Sequence, residues 1–267
     1  MEQIDYKKIG IGITTYNSPT RLQSLLNTLP DFIENVVIVN DGTPYDHSIY
    51  QNRYDVIQHS INKGVAIAKN SAIRYLMGQG CEHIFILEDD IVIKDTSIFQ
   101  KYIEASEISG IKHFNYALQG YGNANRHSDG TINHPTPVYC VDYNDIQICF
   151  YHWCSGPLMY MHRECIERVG YLDERFYNIH EHVDFTYRII KEELHPPFWY
   201  FADIANAHQY IGDGSEFRNT TIQKDEKYEE RLRGADIYFS MKHGCNPLDI
   251  PKASTEELLL SLLKLKI

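Results

Sequence analysis

The chain has 267 residues, with 25 Lys and Arg against 36 Asp and Glu, a formal net charge of -11. That length suits one large domain, or one domain with an appendage, and 43% hydrophobic against 23% charged residues excludes a chain disordered as a whole. The deficit of basic residues excludes a general nucleic-acid binder, because neutralising phosphates takes Lys and Arg in excess.

Ile9-Gly10-Ile11-Gly12-Ile13-Thr14 predicts a buried first strand, with Thr15, Tyr16 and Asn17 as its exit loop. Ser18 before Pro19 is a helix start. Leu22, Leu25, Leu26 and Leu29 then share one face, and Pro30 stops the helix. Residues 36–39 form an apolar run too short for a helix, hence a second strand, closed by the turn Asn40-Asp41-Gly42. A short third strand at 56–58 precedes Asn62-Lys63-Gly64. Val65, Ala68, Ala72 and Leu76 mark a second helix, closed by Gly78 and Gly80. A fourth strand at 84–87 runs directly into Glu88-Asp89-Asp90. The β-α-β-α-β order predicts an α/β fold with a mostly parallel sheet and helices on both faces. Ligands in such sheets bind beyond the carboxyl ends of the strands. Three polar clusters, at 15–17, 40–41 and 88–90, fall at those ends.

Further on, 120–137 is rich in Gly, Asn, His and Pro and predicts a loop. Strands are expected at 139–143 and 146–151, then a turn at 153–157 followed by a short strand, a helix around 163–169 and another over 181–194. An aromatic strand follows at 198–201, then a charged, loop-like region of weak helical character over 212–234. Leu258, Leu259, Leu262, Leu263 and Leu265 form a final apolar stripe, suited to packing on its own domain or on a second copy of the chain. The six cysteines lack CxxC spacing, so reduced and mostly buried thiols are expected. No apolar run reaches membrane-spanning length and the start is polar and acidic. The expected setting is cytoplasmic, at most peripheral at the inner face of a membrane.

Three adjacent acids at a strand end, flanked by Leu87 and Ile91, are costly unless a cation neutralises them. A hard divalent ion, Mg2+ or Mn2+, completed by substrate phosphates, is the economical partner.

These motifs, in this order, resemble the GT-A fold glycosyltransferases of family 2. The resemblance rests on Thr14-Thr15-Tyr16-Asn17, Val39-Asn40-Asp41-Gly42, Asn62-Lys63-Gly64 with Ala68-Lys69-Asn70, and Leu87-Glu88-Asp89-Asp90. Downstream it extends to Ser155-Gly156-Pro157, to 170–176 and to Glu181-His182-Val183-Asp184-Phe185 with Arg188. It implies a transferase domain over 1–215, with a nucleotide-binding half at 1–95 and an acceptor and catalytic half at 96–215, followed by a helical extension at 216–267. Thr15, Tyr16 and Asn17 would then contact the nucleotide, Asn40 and Asp41 its base and ribose, and Lys69 its pyrophosphate. Glu88, Asp89 and Asp90 match the family's DXD motif, with Asp90 the direct metal ligand, Glu88 at the ribose or the metal, and His208 completing the metal site. Trp153 and Gly156 fall on the acceptor side.

The family has Glu-Asp where this chain has Glu181-His182, which leaves Glu181, His182 and Asp184 as candidate bases. Asp184 also stands four residues before Arg188, the spacing of a plain helix ion pair. The implied reaction is a metal-dependent, inverting transfer from a nucleotide-diphosphate sugar, UDP-linked by family analogy, to a carbohydrate hydroxyl in polysaccharide or glycan synthesis. A nucleotidyltransferase and a silent glycosyltransferase-like binding module are the alternatives.

Overall fold

The computed structural model describes residues 5–50, 53–117, 137–152, 154, 156–197, 201–213 and 226–266. The expected loop at 120–137, apart from residue 137, lies outside them, as do Trp153 and residues 198–200.

Six strands make the central sheet: β1 (Ile9–Thr15), β2 (Asn35–Asn40), β3 (Asp55–Gln58), β4 (His83–Glu88), β6 (His113–Asn115) and β9 (Leu158–His162). Their spatial order is β3-β2-β1-β4-β9-β6. The first four run parallel, whereas β9 is antiparallel to both of its neighbours. The sheet is therefore mixed, and the reversed strand matters for the site. Because β9 runs backwards, its start lies at the same rim as the carboxyl ends of β1, β2 and β4. There the Glu88 amide donates to the Pro157 carbonyl at 2.8 Å.

Alternation along each strand divides the core. Ile9, Ile11, Ile13, Val36, Ile38, Phe85 and Leu87 point into one layer, with α1 (Pro19–Leu26), α3 (Ser97–Ser109) and α7 (Thr255–Leu265). Val37, Val39, Ile84 and Ile86 face the other, with α2 (Val65–Gly78), α4 (Arg163–Val169) and α5 (Glu181–Lys191). On that second face β1 presents Gly10 and Gly12. A Cβ at Gly12 would lie 2.6 Å from the Ala72 Cβ, so the missing side chains let α2 sit directly on the strand.

A three-stranded sheet, β10 (Phe201–Ile204), β8 (Ile146–Tyr151) and β7 (Tyr139–Tyr143), and a two-stranded pair, β11 (Ile211–Asp213) with β5 (Ile91–Ile93), complete the α/β architecture. The expectation of reduced thiols is corrected at one pair. Cys140 and Cys149 stand opposite each other in the β7–β8 register, with Cα atoms 4.2 Å apart, and form a disulfide. That close spacing belongs to a non-hydrogen-bonded antiparallel pair, whose side chains approach most closely.

Four strands and helices were not expected from sequence: α3, β5, β6 and β11. The region 212–234 also differs from its loop-like reading, since α6 (Tyr228–His243) is a 16-residue helix. The physical reason is that α6 buries only Ala235 and Phe239, with Tyr238 and Phe239 packed on Phe176 and Tyr187, and that the rest of its docking is polar. Lys242 reaches Asp173 at 2.8 Å and Asp184 at 2.6 Å, His243 reaches Asp184 at 2.7 Å, and Asp236 pairs with His180 at 2.7 Å. Hydrophobic periodicity is silent about a helix held that way. By contrast α7 starts in a capping box of Ser254 and Glu257 and sends Leu258 and Leu262 into the main core. The leucine stripe is thus packed on its own domain, with Leu259, Leu260 and Leu263 left exposed.

Candidate active site

At the end of β1, Thr15 is almost fully buried. Its hydroxyl donates to the Asp89 carboxylate at 2.5 Å and lies 3.0 Å from the Tyr45 hydroxyl, which in turn accepts from the Ser18 amide at 2.7 Å. The exit loop of β1 is thereby tied to the acid turn of β4. Burial, offset in part by the Thr15 hydroxyl and reinforced by Glu88, pushes the Asp89 carboxyl up to about 6. Tyr45 is a site residue that sequence reasoning missed, with no signal except its closeness to Asn40-Asp41-Gly42. Tyr16 leaves its ring exposed at the rim. Asn17, at φ 51, accepts from the Thr43 amide at 2.9 Å and so joins the first loop to the second.

The two polar residues closing β2 are spent on backbone. Asn40 is fully buried and bonds to the Gly42 amide and the Thr43 carbonyl. Asp41 accepts from the Lys63 and Gly64 amides at 2.9 and 2.8 Å and from His59 at 2.6 Å. It holds the turn that launches α2, where Gly64 adopts φ 94 with the Tyr177 ring packed where a Cβ would go.

Lys69, in the second turn of α2, is completely buried. Its ammonium lies 2.8 Å from Glu88, 3.2 Å from Glu181 and 3.2 Å from the Gly156 carbonyl. An ammonium has three protons, so these three acceptors use all of them. Sequence placed Lys69 at a pyrophosphate; the structure places it between two carboxylates. Burial works against the charge, but Glu88 and then Glu181 outweigh it and hold the Lys69 pKa well above its ordinary value.

Glu181 opens α5 and is nearly buried. Burial alone would raise its carboxyl; Lys69 and then His182 outweigh that and keep it well below the usual carboxylate range. Both contacts, from Lys69 at 3.2 Å and the His182 ring at 3.5 Å, fall on Oε1. Beside it, His182 Nε2 donates to the Cys154 carbonyl at 3.3 Å. Gly156, at φ 76, allows the ring to approach, since a Cβ there would meet the His182 ring at 3.2 Å. Burial would lower the imidazole pKa, but the Cys154 side chain and the Glu181 carboxylate raise it to about 10. This makes a pH test. The unfolded ring titrates near 6.5, so its stabilising contribution is whole below that pH and is lost as pH rises towards about 10. The unfolding free energy is expected to fall over that window in denaturant titrations, and His182→Gln is expected to flatten that part of the curve.

Asp184 turns the other way. Fully buried, it accepts from Arg188 at 2.9 Å on Oδ2 and from both Lys242 and His243 on Oδ1, so one oxygen is spent within α5 and the other anchors α6. The helix ion pair offered by the i, i+4 spacing is present, and Asp184 does not share a cleft with Glu181. His208 lies in a short turn, Ala207–Gln209, brought towards the acid turn by the pairing of β5 with β11. It lines a cavity of about 150 Å³ together with Tyr116, Tyr151 and Asp203. Among the described residues no three His, Cys, Asp or Glu side chains converge on a metal position, so the expected set of Glu88, Asp90 and His208 is not assembled. The visible cause is that Glu88 turns inward to Lys69.

The remaining donors still suit a hard cation. Asp89 and Asp90 are adjacent half-buried carboxylates at the rim, and an ion that keeps substrate phosphates in its shell takes only one or two protein carboxylates. No helix among the described residues is long and apolar enough to cross a membrane.

No family profile matches the chain. In sequence it is 26% identical over 224 residues to an uncharacterized glycosyltransferase, R363, of Acanthamoeba polyphaga mimivirus, covering 76% of this chain and 80% of that protein. In structure it is similar to S. aureus TarS 1–349 in complex with UDP, with a TM-score of 0.53 at 12% identity, over 97% of this chain and 80% of that one. The chain spans about half of a third protein, the mannosyltransferase PcManGT from Pyrobaculum calidifontis in complex with GDP-Man and Mn2+. There the match covers 62% of this chain and 48% of that one at 14% identity, with a TM-score of 0.43. The fold is an α/β domain with a central mixed sheet and helices on both faces, of the kind seen in TarS. Sequence similarity sets it beside the glycosyltransferases, without singling out one of their families.

Proposed function

We propose that the chain transfers a sugar, with inversion, from a nucleoside-diphosphate donor to a hydroxyl of a carbohydrate acceptor, and that the donor is UDP-linked. The observation that carries this reading is the meeting, at one rim of the sheet, of the acid turn 88–90 with Thr15 and, through Lys69, with Glu181. The UDP bound by TarS and the sequence relative's class support it.

In this reading the exposed Tyr16 ring packs on the nucleotide base, and Asp89 and Asp90 hold a Mn2+ or Mg2+ ion, with Glu88 alongside. The ion would supply charge neutralisation for the departing diphosphate. Glu181 is the base. It stays ionised, and because its protein contacts fall on Oε1, the acceptor hydroxyl approaches Oε2. His182, raised to about 10 beside the Glu181 carboxylate 3.5 Å away, keeps its proton at neutral pH and so is not the base. Gly156, by family resemblance, and Trp153, as an aromatic able to stack on a sugar ring, belong to the acceptor side.

The test is a panel of nucleotide sugars incubated with Mn2+ or with EDTA, with free nucleotide measured. Release is expected with Mn2+ from a UDP-linked donor and is abolished by EDTA. Asp90→Ala is expected to slow it about 100-fold and Glu181→Gln by about 100- to 10,000-fold. No metal-dependent release from any donor would overturn the reading.

A further inference from the structure

We infer that Lys69 is a positioning residue that couples the donor side of the site to its acceptor side, by sharing one buried positive charge between Glu88 and Glu181. The inference rests on the nucleotide-sugar reading and goes beyond it, because Lys69 itself touches neither ligand.

Three separate parts of the chain meet at this ammonium. Glu88 ends β4 and leads directly into Asp89 and Asp90. Glu181 begins α5 and is 112 residues away from Lys69 in sequence. Gly156 belongs to the link entering the reversed strand β9. With all three protons engaged and no solvent contact, Lys69 cannot strengthen one bond without weakening another. The Glu88 side chain is about a quarter exposed, whereas that of Glu181 is almost sealed, so Glu88 is the arm that can move towards the rim. In that reading Asp89 and Asp90 would hold the cation that neutralises the donor, and Glu88, next to them in the chain, would be the arm that turns outward when the donor binds. Lys69 then closes on Glu181 and fixes the carboxylate that receives the acceptor. By linkage the relation is reciprocal: removing the charge of Glu181 leaves Lys69 to Glu88 alone, which holds Glu88 back from the donor.

The test is isothermal titration of UDP with Mn2+, and in parallel GDP with Mn2+, into the full chain. Glu181→Gln is expected to weaken nucleotide binding about 3- to 10-fold, in the range of ordinary coupling between sites. In a Glu88→Gln background the same change is expected to shift the Kd less than about 1.5-fold, since the charge-sharing route is gone. If Glu88→Gln leaves no measurable binding, Lys69→Gln serves as the background with the same expectation. Parallel denaturant melts separate a fold effect from a Kd effect: a merely structural Lys69 would couple the variants in stability and leave the Kd shifts additive. Two results overturn the coupling, namely no Kd change for Glu181→Gln in the parent chain, or the same change in both backgrounds. A parent chain that binds neither nucleotide with Mn2+ instead refutes the nucleotide-sugar reading beneath it.

Discussion

Lys69→Met is expected to cost about 3–5 kcal/mol of folding free energy, the scale for breaking a buried ion pair from one side. The methionine fills much of the volume but leaves two carboxylates, the nearly sealed Glu181 and the quarter-exposed Glu88, with no cation between them. A control exists in the same molecule. Lys8 and Glu82 make an equally short contact of 2.7 Å, but their side chains are 48% and 36% exposed. Water screens that pair, and Lys8→Met is expected to cost less than about 1 kcal/mol. Urea titrations of the two variants at one pH compare them directly. Similar small losses would show that the Lys69 contacts carry no unusual stability.

Asp184→Ala is the second large effect, again of about 3–5 kcal/mol. It takes a shared carboxylate away from Arg188, Lys242 and His243 at a fully buried position, where Arg188 keeps the Val169 and Tyr171 carbonyls, Lys242 keeps Asp173, and the nearly buried His243 loses its ion-pair partner. Because two of those three groups belong to α6, the loss falls unevenly. Hydrogen exchange is expected to show the amides of 228–243 losing protection first, while β1 and β4 keep theirs. Turnover per folded molecule is expected to fall far less than with Glu181→Gln, since Asp184 faces α6 and not the rim. A loss of turnover with α6 still protected would make Asp184 the base after all.

Much of this fold was legible because it is written in apolar spacing. Ala68, Ala72 and Leu76 mark α2, and the runs at 36–39 and 84–87 mark strands whose ends carry the polar clusters. The limits of that signal are physical. Phe99, Tyr102, Ile103 and Ser106 of α3 bury a face that mixes Ser with aromatics, and no stripe was drawn from it. The helix α6 is docked mostly by charge, which leaves no period to find. In the site, residue types were visible but partners were not. Lys69 reads as a phosphate ligand until Glu181 is known to be within 3.2 Å, and Asp41 reads as a nucleotide ligand until its oxygens are found on the Lys63 and Gly64 amides. Glu181 and His182 were legible as a pair, but the protonation that separates their roles comes from Cys154 and Lys69, both remote in sequence.

The reach of the Lys69–Glu181 contact also bears on how the molecule is made. Strands β1, β2 and β4 with α2 are synthesised within the first 88 residues. At that stage the chain carries a lysine meant for an interior whose other wall does not yet exist. Contacts that close such long loops form late, because the loop entropy is spent before the contact returns anything. The site is therefore complete only when the start of α5 docks on a helix translated long before it.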